Sequence, residues 1–141
     1  MTVLALDPGM RYIGVAISDP DMRVALPLKI LSRTPSKKML DDLRELVTEK
    51  NVAEIIVGRP LALRGTSIPM TREAEKLADL IKNTLAVNVT LVDERLSTRA
   101  AQRATRKRTG RAGKEGRLDP AAAAIFLQTY LDSKKSEGSH G

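Results

Sequence analysis

The chain has 141 residues, 42% of them hydrophobic, which is the length of one domain and enough apolar material for one core of ordinary size. It contains no Cys, and its single His is His140, next to last, so thiol nucleophiles, thiolate metal sites, disulfides and any Ser-His-Asp triad built on an ordered imidazole are excluded. The formal net charge is +7. The opening Met-Thr-Val-Leu-Ala-Leu-Asp has no basic leader region, and no apolar run approaches the ~18 residues of a membrane span, so we expect a cytoplasmic protein with no membrane partner.

Residues 2–7 form an apolar run suited to a buried strand, which Pro8-Gly9 is expected to stop. Tyr12–Ser18 is a second strand. Val24–Leu31 is a third, with Pro27 pointing to an edge or a bulge. Three short strands in succession predict an antiparallel meander. The period then changes: Leu40, Leu43, Leu46 and Val47 recur at helical spacing. Ile55-Ile56-Val57, ended by Gly58-Arg59-Pro60, reads as a central strand, and residues 61–69 as a loop. Met70, Ala74, Leu77, Ala78 and Ile81 mark a second amphipathic helix before a strand over Val87–Val92. This alternation implies parallel crossovers. Ser97 or Thr98 suits the cap of a third helix through Ala104.

Between Arg99 and Arg117 lie Arg99, Arg103, Arg106, Lys107, Arg108, Arg111, Lys114 and Arg117, opposed only by Glu115, so this segment holds the entire charge excess. Such concentration is the electrostatic footprint of a polyanion site; a solvated Arg-rich helix and loop is the alternative. Its apolar positions are Ala, too small for a membrane-surface helix. Asp119-Pro120 opens a last helix through Leu131, and residues 133–141 read as a disordered tail. The class is α/β, with a mixed five-stranded sheet flanked by helices in a single domain over residues 1–132.

With thiols and imidazoles excluded, carboxylates are the candidate catalysts. Asp7 ends the first strand, Asp93 and Glu94 end the last, and Asp119 starts the final helix; groups outside the carboxyl ends of strands in an open α/β sheet commonly form a site. Clustered carboxylates are naturally neutralised by a hard divalent cation, Mg²⁺ or Mn²⁺. Each acid also has a plainer reading: Asp7 as a turn former in Asp-Pro-Gly, Asp119 as a helix cap, Glu94 as a surface partner of Arg95. Gly58-Arg59-Pro60 is read as a strand terminator. With only Tyr12, Phe126 and Tyr130 as aromatics, nucleic acid would be held by backbone and shape rather than by stacking.

Asp7-Pro-Gly with Arg11-Tyr-Ile-Gly-Val-Ala, Val57-Gly-Arg-Pro, Val92-Asp-Glu-Arg-Leu-Ser-Thr98 and Asp119-Pro-Ala-Ala-Ala with Ile125-Phe-Leu-Gln closely resemble the YqgF/RuvX family, from residue 2 to about 131. The resemblance implies an RNase H-like fold and a metal-dependent nuclease with Asp7, Glu94 and Asp119 as catalytic and metal-holding acids, and Asp93 as a substitute or supporting group. It implies processing of the 5′ end of pre-16S rRNA, with RNA and ribosomal precursor particles as partners, or Holliday junction resolution on structured DNA, by a monomer or a homodimer. Arg11 and Arg95, inside the matched motifs, join the basic segment as expected nucleic-acid contacts. Two departures stand out: Arg59 where an apolar residue is usual, able to add a phosphate contact, and Pro120 directly after the last acid. An actin-like ATPase, for which the chain is short, and a non-catalytic nucleic-acid-binding protein are the alternatives of other classes.

Overall fold

The computed structural model describes residues 1–60, 67–94 and 120–138. Five strands, β1 (Thr2–Pro8), β2 (Tyr12–Ser18), β3 (Ala25–Ser32), β4 (Val52–Arg59) and β5 (Asn88–Asp93), form one sheet in the order β3-β2-β1-β4-β5. The pairs β1–β2 and β2–β3 are antiparallel, while β1–β4 and β4–β5 are parallel, so the expected mixed sheet with its opening meander is present. Pro27, which has no N–H to give, lies on the edge strand beside a bulge: Val15 faces Lys29 while Ala16 faces Pro27,.

Helices α1 (Ser36–Glu49), α2 (Pro69–Thr84) and α3 (Pro120–Gly138) cover the sheet from both sides. Side chains alternate along a strand, and β1 sends Leu4 and Leu6 into a core with Met39, Leu43 and Leu46 of α1 and Ala74, Leu77 and Ile81 of α2. Val3 and Ala5 point the other way, into a second core with Ala123, Phe126, Leu127 and Leu131 of α3. With both faces covered, the strand reads as an unbroken apolar run.

Four expectations change in detail. β1 continues through Pro8, and β4, an interior strand between β1 and β5 as expected, runs from Val52 to Arg59. At the start of α2 the buried residue is Thr71 rather than Met70. Its hydroxyl accepts from the Ile68 N–H (2.9 Å) and donates to the Pro60 carbonyl, so a polar residue is buried because it is hydrogen-bonded,. The last helix extends through Gly138 rather than ending at Leu131, which makes residues 133–138 helical; Ser-Lys-Lys-Ser-Glu contains no helix breaker before that glycine,. The third helix expected from Ser97 and the glycine-rich basic loop lie outside the described residues. No described helix is long and apolar enough to cross a membrane.

The direction of α3 matters for the site. Its second half lies over the strand beginnings: Gln128 Oε1 accepts from the Ala25 N–H (2.9 Å) and Tyr130 Oη donates to Glu54 (3.0 Å) near the start of β4. α3 therefore runs antiparallel to β1, and its Pro120 end faces the carboxyl end of that strand.

Candidate active site

Asp7 is the sixth residue of β1, paired across the antiparallel ladder with Gly14. It is not a turn former, because the reversal into β2 comes after it, where the Gly9 N–H donates to the Tyr12 carbonyl (2.8 Å). By alternation its side chain leaves the sheet on the side of Val3 and Ala5, the face covered by α3,. Glu94 directly follows β5. Its carboxyl reaches back over β4 to Gly58, which is paired with Val92, and is hydrogen-bonded to the Asp7 carboxyl. Two acids 87 positions apart thus meet at the carboxyl ends of parallel strands.

The electrostatics follow from that meeting. Burial raises the pKa of Asp7, and the hydrogen bond from Glu94 opposes the rise. For Glu94, burial, the Asp7 charge, the hydrogen bond it donates to Asp7 and the Asp93 charge together push the pKa up to about 9. The pair therefore keeps a proton at neutral pH, as two like charges brought together out of water must. Asp93 closes β5 opposite Arg59 and acts on Glu94 through its charge.

Among the described residues no three carboxylates or imidazoles assemble into a cation cage. Asp119, the third expected acid, lies outside the described residues, as do Arg95, Arg99, Arg103, Arg106, Lys107, Arg108, Arg111, Lys114 and Arg117. Arg11 is described: it is exposed on the turn between β1 and β2, at the same end of the sheet as Asp7. Arg59 turns toward α2, where its Nη2 is 3.0 Å from Glu75 Oε2; the cation expected to reach phosphate is held by a protein carboxylate.

Two contributors escaped sequence reasoning. Arg33, whose side chain is only 18% exposed, donates from Nη1 to the Gly9 carbonyl (3.1 Å) and from Nη2 to Glu73 Oε2 (3.0 Å). It thereby ties the turn after Asp7 to the first half of α2, and no local pattern marks it. Gly58 is the other: a Cβ there would fall 2.2 Å from Glu94 Oε1. A glycine inside an apolar strand was the available signal.

Comparison with known proteins bears on the family and the fold. A "Putative pre-16S rRNA nuclease" of Chloroflexus aurantiacus is 38% identical over 135 residues, covering 95% of this chain and 88% of the relative. One of the same name from Corynebacterium jeikeium is 42% identical over 135 residues, covering 94% and 86%. Among solved structures, the T. thermophilus RuvC in complex with a Holliday junction substrate superposes with a TM-score of 0.61 at 15% identity, covering 96% of each chain. The fowlpox virus Holliday junction resolvase gives 0.54 at 16% identity, covering 94% of this chain and 99% of that one. These likenesses identify the fold as RNase H-like, as the motifs implied. The sequence model of the RuvX family, described as Holliday junction resolvase, matches residues 1–133, and the chain belongs to that family.

Proposed function

We propose that this chain is a divalent-metal-dependent nuclease that hydrolyses phosphodiester bonds in processing the 5′ end of pre-16S rRNA. The observation that carries the reading is the hydrogen-bonded pair Asp7 and Glu94 at the carboxyl ends of the strands. The names of the relatives support the substrate. The donor set suits the cation: carboxylate oxygens are the hard ligands that Mg²⁺ and Mn²⁺ prefer, and a pair that must otherwise hold a proton gains by exchanging it for a metal. When bound, such an ion supplies Lewis-acid stabilisation of phosphoryl charge and a water of lowered pKa.

The chain's own residues have separate tasks. Asp7, fixed on the middle strand, anchors the site, and Glu94 gives up its proton to join it. Asp119 completes the set, an assignment supported by the direction of α3, whose first residue is Pro120. Arg11 and the basic segment around Arg95 to Arg117 bring the polyanion to these acids, with RNA preferred over structured DNA and precursor ribosomal particles as the natural substrate. We place the activity in the cytoplasm, in one domain spanning residues 1–132.

The test is a parallel cleavage assay of end-labelled pre-16S leader RNA, a four-way DNA junction and plain duplex DNA, with Mn²⁺, Mg²⁺ or chelator, comparing wild type with Asp7→Asn and Glu94→Gln. We expect metal-dependent cleavage of the RNA to 5′-phosphate and 3′-hydroxyl ends, lost in both variants. Junction cleavage in its place would favour the second reading, resolution of Holliday junctions, which the family description supports; that activity needs two symmetric cuts and hence a two-fold dimer, visible by sedimentation. Salt-sensitive binding with no product in any metal would refute the enzyme.

A further inference from the structure

We propose that Gly58 is a positioning residue of the carboxylate site: its missing side chain is what allows the Glu94 carboxyl to cross β4 and reach Asp7. This rests on the reading of Asp7 and Glu94 as the acids of the site. Gly58 is the penultimate residue of β4 and is still paired in the sheet, opposite Val92; the strand ends one residue later, at Arg59, within the Gly58-Arg59-Pro60 terminator. Glycine weakens a strand interior relative to alanine, through the backbone freedom it gives up on folding, so its presence there calls for a cause. Backbone conformation is not that cause, because Gly58 is not in the left-handed region. Space is the cause: a Cβ would stand 2.2 Å from Glu94 Oε1, 2.8 Å from Cγ and 2.9 Å from Cδ.

All three crowded atoms belong to one side chain, and that side chain can rotate. Alanine at this position is therefore accommodated by expelling Glu94 while the sheet stays in place. The consequence is selective: Gly58→Ala should fold and still separate the two acids.

The experiment uses the full chain as wild type, Gly58→Ala, Glu94→Ala and the double variant. In metal-free protein labelled with ¹³C at the Asp and Glu carboxyls, with Asp7→Asn and Glu94→Gln assigning the signals, Gly58→Ala should move both the Asp7 and Glu94 resonances at fixed pH, with the carboxyls other than neighbouring Asp93 unshifted. Unmoved signals overturn the proposal. In calorimetric titrations with Mn²⁺, Gly58→Ala should weaken binding by about 10- to 100-fold, the usual cost of disturbing the groups that orient metal ligands, and should add nothing in the Glu94→Ala background. Additive losses would show that Gly58 acts by some route other than Glu94 and would also overturn it. Should Gly58→Ala fail to fold, folding of the double variant would place the clash on Glu94 as proposed, and failure of both would refute it. If wild type binds no Mn²⁺, the metal reading falls while the carboxyl resonances still decide the role of Gly58.

Discussion

Glu94→Gln should make the metal-free protein more resistant to alkaline destabilisation. The pKa of Glu94 rises from 4.5 to about 9 on folding, through burial first and the Asp7 charge second. Between those values the folded chain holds a proton that the unfolded chain has released, so stability falls as pH rises through the window; the contribution is whole below about pH 4.5 and gone above about pH 9. Asp7, also raised by burial, acts in the same direction. One proton corresponds to about 1.4 kcal/mol per pH unit, or about 2.7 kcal/mol between pH 6.5 and 8.5. Glu94 is only partly shielded from water, and solvent screening reduces the expected loss to about half of that.

Glutamine keeps the shape of Glu94 and can donate an amide hydrogen to Asp7, but it does not ionise over this range. Urea denaturation of wild type and Glu94→Gln at pH 6.5, 7.5 and 8.5, in the presence of chelator, measures the difference directly. We expect wild type to lose about 1 to 2 kcal/mol relative to the variant across the series. Parallel profiles would refute the shared proton, and with it the claim that burial and the Asp7 charge hold it on Glu94.

Metal binding should release about one proton at pH 7, seen as a dependence of the calorimetric heat on the ionisation enthalpy of the buffer, and Mn²⁺ affinity should climb up to about tenfold per pH unit below pH 9; a buffer-independent heat would contradict this. Arg33→Ala should cost about 1 to 2 kcal/mol in urea denaturation, since the variant cannot make the hydrogen bonds to the Gly9 carbonyl and Glu73 that a side chain largely withdrawn from water makes in wild type,. A cost below about 0.5 kcal/mol would place it among ordinary surface ion pairs. Replacing Arg103 and Arg106 with Gln should lower the salt slope of RNA binding by roughly 0.7 to 0.9 for each phosphate no longer neutralised, and an unchanged slope would remove that segment from the binding surface.

The parts of this fold that sequence reveals are those governed by local periodicity. Leu43 and Leu46 on α1, and Ala74, Leu77, Ala78 and Ile81 on α2, are buried as their helical spacing predicts, and Pro27 marks the edge strand and its bulge. The convergence of Asp7 and Glu94 was also legible, because parallel connections bring successive strand ends to one side of a sheet. What stayed hidden depends on contacts between distant segments. Thr71 reads as a surface residue until the Pro60 carbonyl is seen to receive its hydroxyl. Arg33 is one of many basic residues until the turn after Asp7 is set beside α2. Gly58 reads as punctuation because the side chain that requires its emptiness is 36 positions away.

The choice of glutamate at position 94 follows from the same geometry. Asp7 is on β1 and Glu94 follows β5, with β4 between them. Neighbouring strands lie about 4.8 Å apart, so the two backbones are separated by roughly 10 Å, and the acids must span that gap over the intervening strand. Asp7 contributes a short reach; the longer arm has to come from the other side, over a residue with no side chain. Glu94→Asp removes one methylene, about 1.5 Å of reach, and should leave the carboxyl short of Asp7 while preserving its charge. The expected result is a protein whose stability no longer falls between pH 6.5 and 8.5 and whose Mn²⁺ affinity drops at least about tenfold, although every carboxylate is still present. A Glu94→Asp variant with the wild-type pH profile would show that the pairing tolerates a shorter arm, and that the open space at Gly58 serves some purpose other than this crossing.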